Sequence, residues 1–399
     1  MKEKYIQLLL EKCIDIKNGK PLFISYDIVN QDFIDEIIKY AKEKEVKEIY
    51  LDKHNIYEEH DILKQISTED IQNNSYFNDS IWDEYAKKDA NFLMFRVSLP
   101  GVMDDIEPKK LTKAEYTRRS TRPLFMKKQL NFEIPWCIAT LPNKVWSDKL
   151  FKGKENSLEL LEDMIYKVCM VDTNNPIVSW NNYLDNNKKR ITELNKLKLK
   201  CLRYKNSLGT DLNIELLEQG IWKDASYNGL VNMPSYEIFT SPNYKKTNGI
   251  VYSSRPLYYN GGLVDKFWIK FKDGKAIDSG AEVGEQILKS IINTDSNSCY
   301  LGEVALVEND SPISNTGLVY GLTLIDENAS CHLALGDGYP DLIEDGEKYS
   351  IKELLDMGLN ISTTKIHVDF MIGTPDLEIT GETFDNKKVK IFENGNFKK

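Results

Sequence analysis

Histidine is scarce in this chain: 399 residues hold four, His54, His60, His332 and His367. A sequence so poor in imidazole that places two of them near acids in its C-terminal half directs attention there. Cysteine offers less. The six, Cys13, Cys137, Cys169, Cys201, Cys299 and Cys331, form no close pair and no CxxC. That argues against a thiolate zinc site and for reduced core thiols in a reducing cytoplasm. No apolar run approaches the roughly 20 residues that span a bilayer, so no membrane partner is expected. The start is charged, briefly apolar, then acidic at Glu11 and Asp15, the pattern of an amphipathic helix and not of a secretory leader. No block of like charge forms a tail, and the net charge of −10 repels phosphate backbones, so nucleic acid is not an expected partner. Neither GxGxxG nor a P-loop follows any predicted strand, which leaves a nucleotide site unsupported.

What is present is a globular composition, 41% hydrophobic and 29% charged, in a chain long enough for two or three domains. The first half alternates helix and strand. Helical patterns fall at 5–13, 31–45, 60–66, 79–89, 110–130 and 156–170. Strand patterns fall at 20–26, 48–51, 91–97 and 136–140. In the second helix Phe33, Ile34, Ile37, Ile38 and Ala41 share one face. Strands separated by helices predict a mostly parallel sheet with flanking helices, an α/β domain over residues 1–190. A helix at about 187–205 leads into the second half. There, short strands are expected at 211–216, 235–240, 249–253, 264–271, 301–307, 318–325, 365–371 and, in two parts, 377–394. A single helix at 280–293 interrupts them. Residues 191–399 thus read as an α+β, β-rich domain.

Four segments in that half could carry chemistry. In Thr364 to Met371, side chains alternate along a strand, so Ile366, Val368 and Phe370 face one way and His367 and Asp369 the other. The pair can ligate metal, or it can be the exposed face of an edge strand. Glu303 interrupts the buried-looking strand Leu301–Val307. A carboxylate there is costly unless paired or metal-bound, or unless the position is a solvated edge. His332 lies among small and apolar residues after Asp326 and Glu327, as a core histidine or a ligand. Tyr339 follows in a turn and by itself reads as packing. Glu237 is the one acid between Pro234 and Pro242. Two His, two Glu and one Asp make a possible divalent-metal set suited to Zn²⁺, Co²⁺ or Mn²⁺, and hence a hydrolase.

Together these segments resemble one family, the metallo-aminopeptidases of the aminopeptidase T and aminopeptidase S type. The resemblance rests on NMPSYEIFTSP (Asn232–Pro242), LGEVALV (Leu301–Val307), DENASCHLALG (Asp326–Gly336) with Tyr339, and IHVD (Ile366–Asp369), with weaker echoes elsewhere, among them Arg255-Pro256-Leu257. It implies two metal ions per chain (Zn, Co, Mn or Mg) on Glu237, Glu303, His332, His367 and Asp369, with Glu303 shared. It implies catalytic roles for Glu303, Tyr339 (metal or oxyanion) and Glu327 (base or support of the ligands), though Glu327 could also be a helix or turn cap. It implies removal of N-terminal amino acids from peptides by a two-metal-activated water, and a homodimer. One position departs from the pattern: the family usually has two adjacent acids where this chain has Tyr236-Glu237. A weakened or merely binding homologue, or another metal-dependent amidohydrolase, are the alternatives.

Overall fold

Four short strands build the first sheet: β1 (Leu22–Asp27), β2 (Ile49–His54), β3 (Asn91–Phe95) and β4 (Trp136–Ala139). They run in the order β2-β1-β3-β4 and every pair is parallel. All six residues of β1 are buried, the near-continuous burial typical of a parallel strand covered on both faces. The intervening segments return as helices such as Gln31–Glu43 and Ser80–Lys87, since parallel neighbours need a crossover. Phe23, Trp82, Phe92 and Phe125 pack together on the sheet. Each large apolar side chain so buried contributes about 1.5–3 kcal/mol. This computed structural model describes residues 1–227, 229–259, 262–361 and 366–398; Thr364 and Lys365 of the predicted His367 strand lie outside them.

The second half is built from antiparallel sheets. A large one runs from Leu257–Tyr259 through Gly262–Lys272, Pro242–Tyr252, Asp211–Leu216 and Leu199–Lys205 to Glu378–Thr383, Lys388–Glu393 and Asn396–Phe397. The smaller one holds β5 (Ile238–Thr240), β6 (Leu301–Leu306), β7 (His332–Gly336) and β8 (His367–Met371), in the order β8-β7-β6-β5. Leu202, Leu212, Phe267, Val304, Leu333 and Phe370 belong to one common core. The chain divides into compact units of residues 1–183 and 184–399, with 225–235 and 260–262 grouping with the first. The division falls inside the helix Pro176–Leu197, a few residues before the expected boundary at 190.

Several expectations are corrected. The helix predicted over 110–130 is two, Pro108–Ser120 and Pro123–Leu130. Pro123 disfavours helical backbone at the preceding residue, and Arg122 sits at φ −127°. The helix predicted at 187–205 begins at Pro176 and ends at Leu197. Lys198 adopts φ +46°, and Leu199–Lys205 is a strand. The helix predicted from 280 starts at Glu285, because Lys275–Val283 is a strand that ends at Gly284, φ +73°. It is not alone in this half: Ile351–Met357 is also helical, capped by Ser350 and Glu353. The strand predicted at 318–325 is absent. Its place is taken by a turn and the short helix Thr323–Asp326. The Asp326 carboxylate accepts from the N–H groups of Tyr320, Gly321 and Leu322 and so satisfies the backbone there. His54 and His60 are half-buried and paired with Asp52 and Asp105.

Candidate metal centre

Sheet register brings the five predicted ligands together. On β7, Leu333 and Leu335 turn to the core, so His332, Ala334 and Gly336 turn to the opposite face. Asp369 pairs with Ala334, and Gly336 with His367. On the other side Glu303 also pairs with Ala334, and Ala305 with His332. Ala305 in turn faces Phe239 on β5, two residues after Glu237. One sheet face therefore carries Glu303, His332, His367 and Asp369, with Glu237 where the chain enters β5. Ala305, Ala334 and Gly336 form a floor of small residues that leaves room above it.

A bulge aims Glu303 into this face. Leu301 pairs with Leu335, but Glu303 pairs with Ala334, so Gly302 is an extra residue. A single inserted residue reverses the alternation beyond it. Leu301 and Val304 both reach the core, while Glu303 is turned to the site. Only glycine fits at 302: a Cβ would lie 2.3 Å from the Gly336 carbonyl oxygen. Glu303 is accordingly neither solvated nor at an edge. It is 4% exposed on a strand flanked by β7 and β5.

The ligand atoms fall into two groups. Those of Glu237, Glu303 and His332 lie within 4.8 Å of one another, as do those of Glu303, His367 and Asp369. Glu303 belongs to both. His332 Nε2 is 3.1 Å from Glu237 and 3.6 Å from Glu303. His367 Nε2 is 3.4 Å from Glu303 and 3.2 Å from Asp369. These are close approaches between ionisable atoms, yet His332 Nε2 and Asp369 Oδ1 are buried and meet no hydrogen-bond partner with proper direction. Both imidazoles present Nδ1 to a backbone carbonyl, His332 to Ser330 at 3.3 Å and His367 to Asp337 at 2.7 Å. That leaves both Nε2 atoms free to bind a cation, the usual arrangement of a histidine ligand. Orphaned donor atoms, an all-oxygen-and-nitrogen set and oriented imidazoles fit divalent Zn²⁺, Co²⁺ or Mn²⁺.

Electrostatics point the same way. Burial pushes the Glu303 carboxyl up, although His332 and His367 pull against it. Burial, and then the charges of Asp369 and Glu237, push Glu327 well above the usual carboxylate range. Burial opposes a charge on His367, but Asp369, Glu303 and the Asp337 carbonyl together outweigh it and lift the imidazole to about 10. His332 is lifted too, against burial, by Glu237 and Glu303. Asp369 alone is held down, by His367 and against its burial. Like charges crowded into a dry site retain protons where cations would otherwise sit.

Of the adjacent acids, Asp326 is the cap and Glu327 the one that feels the ligand carboxylates. Tyr339 packs against His367 with ring centres 5.1 Å apart and the rings tilted by 51°. Its phenol is pushed well up by burial and then by Glu303 and Asp369, which keeps it a hydrogen-bond donor. Sequence reasoning missed Asn328. Fully buried, it accepts from the Tyr236 N–H and donates to the Leu324 carbonyl and, at 3.4 Å, to Glu327. It ties the backbone before Glu237 to Glu327. An amide walled in by apolar residues in DENASCHLALG was the available signal.

The sequence profile of the thermophilic metalloproteases (M29) matches residues 1–397. The chain belongs to this metalloprotease family. Aminopeptidase AmpS of Bacillus subtilis (strain 168) is 34% identical over 98% of this chain and 97% of its own. Aminopeptidase 2 of Geobacillus stearothermophilus is 32% identical over 99% and 97%. The solved structure of wild-type AmpT from Thermus thermophilus superposes with a TM-score of 0.88 at 26% identity, covering 99% of this chain and 98% of that one. Membership in the metalloproteases makes the chain a peptide-bond hydrolase that works with divalent metal.

Proposed function

We propose that this metalloprotease is an aminopeptidase that removes N-terminal amino acids from peptides, with water activated between two divalent ions. The observation that carries the two-ion reading is that Glu303 is common to both ligand groups. The names of the relatives, aminopeptidases AmpS and 2, support the exopeptidase reading. Glu237 and His332 would hold one ion, His367 and Asp369 the other, and Glu303 would bridge. Such ions, when bound, lower the pKa of water and polarise a carbonyl oxygen. The chain's own groups complete the chemistry. Glu327, buried beside the ligands, is the group to take a proton on its carboxylate from the attacking water and return it to the leaving amine. Burial raises its affinity for protons above that of an ordinary carboxylate. The Tyr339 hydroxyl would donate to the developing oxyanion, a role supported by its ring packing against His367.

The test compares amino-acid anilides with a free or an acetylated α-amine, using chain reconstituted with Zn²⁺ or Co²⁺. Hydrolysis of the free-amine substrates alone is expected. Equal hydrolysis of the acetylated ones would point to a broader amidohydrolase. Full ion binding without hydrolysis would point to a binding homologue. A homodimer and a cytoplasmic location belong to the same proposal and are checked by sedimentation and by cell fractionation.

A further inference from the structure

Asn360 carries no charge and lies in none of the motifs above, yet it is fully buried and bonds through every polar atom of its side chain. Its Nδ2 donates to the carbonyls of Gly336 at 2.6 Å, Asn297 at 3.1 Å and Tyr300 at 3.4 Å. Its Oδ1 accepts from Asn297 Nδ2 at 3.1 Å, and its backbone carbonyl accepts from Gly338 N–H at 2.6 Å. Gly336 and Gly338 are the residues on either side of Asp337. The Asp337 carbonyl is the acceptor of His367 Nδ1, and Tyr339 follows directly. Three glycines allow this turn to close on itself: a Cβ at 302 would meet the Gly336 oxygen, one at 336 the Ile366 oxygen, and one at 338 the Gly302 oxygen.

We propose that Asn360 is a positioning residue for the metal centre. It fixes the peptide units around Asp337, so that the Asp337 carbonyl holds His367 Nδ1–H and directs Nε2 at Glu303 and Asp369. This rests on the metallopeptidase reading above. A fully buried amide is the suitable device: it pins a carbonyl and supplies a matching acceptor without adding charge to a site already rich in acids.

The test uses Asn360→Ala in the full chain. Substitutions among the groups that orient a metal-bound histidine weaken metal affinity or activity about 10–100-fold. Titration calorimetry with Zn²⁺ should show one of the two ions weakened by that factor, and kcat should fall with KM little changed. Proton NMR of the metal-free chain gives a second reading, tractable with four histidines: the His367 Nδ1–H resonance should lose its protection from solvent exchange. Unchanged ion affinity with an unchanged, protected Nδ1–H would overturn the proposal, as would a loss accounted for entirely by a lower folded fraction. Should Asn360→Ala not fold, Asn297→Ala, which removes the partner that orients the amide, decides by the same two readings. A parent chain that binds no metal would instead defeat the metallopeptidase reading, and the exchange measurement would still judge the role of Asn360.

Discussion

Each unit of the molecule buries a cluster of charged side chains, and the two are balanced in opposite ways. In the first unit Arg118 makes a two-pronged pair with Glu59 at 2.9 and 3.1 Å, and Arg122 pairs with Asp79 at 3.1 Å. Arg122 also lies over the Trp82 ring at 4.2 Å. Glu59 and Asp79 each face a permanent cation. In the second unit the charges bearing most on Glu303, Glu327 and Asp369 are other acids and two imidazoles. An imidazole is a cation only when protonated. The first cluster is complete as folded, whereas the second is completed by protons or by metal. Burial of charge alone does not mark a site; burial without a built-in counter-charge does.

The comparison breaks most sharply at Glu303. Glu303→Gln keeps the shape but removes a charge shared by both ligand groups, so turnover should drop about 10³-fold or more while circular dichroism is unchanged. Near-normal turnover would remove Glu303 from the bridge. The opposite outcome is expected for Arg118→Met. Leaving Glu59 and Asp79 without this partner should cost about 3 kcal/mol of stability in denaturant melts, with kcat per folded molecule unaltered.

A third prediction sharpens the contrast through pH. Glu303, Glu327, His332 and His367 all have folded pKa values above their ordinary ones, so in the metal-free chain these four groups bind more protons folded than unfolded. Its stability should therefore fall as pH rises; for His367 the loss runs from the ordinary value of 6.5 up through about 10. Metal must displace those protons, so its affinity should weaken about 10-fold or more between about pH 8 and about pH 6. Thermal melts without metal, and calorimetry in buffers of different ionisation heat, check both signs. The smallest effect belongs to His54→Ala and His60→Ala. Their partners Asp52 and Asp105 lie in the first unit, so anilide hydrolysis should be unchanged.

How much of this was legible follows from how local each signal is. The His367–Asp369 pair needed nothing beyond strand alternation, and the parallel sheet followed from its alternating helices. Glu303 stood out as an acid in an apolar strand, but its direction depended on the Gly302 bulge, which two-residue periodicity conceals. The break at Pro123 was written in the sequence and overridden by the polar helical pattern around it. The 318–325 segment looked like a strand because its apolar residues were visible and the cap supplied by Asp326 was not. Asn328 and Asn360 were illegible for a different reason. They act on backbone groups far along the chain, and an asparagine has the same composition signal in a surface loop as in the core. The grouping of Glu237 with Glu303 and His332 was reached through family resemblance, since no local pattern links them.

The shared Glu303 is the central claim, and anomalous diffraction from crystals soaked in Co²⁺ or Zn²⁺ tests it most directly. Two peaks are predicted, one beside Glu237 and His332 and one beside His367 and Asp369, each within ligand distance of Glu303. A single peak, or two that do not both contact Glu303, would contradict the account.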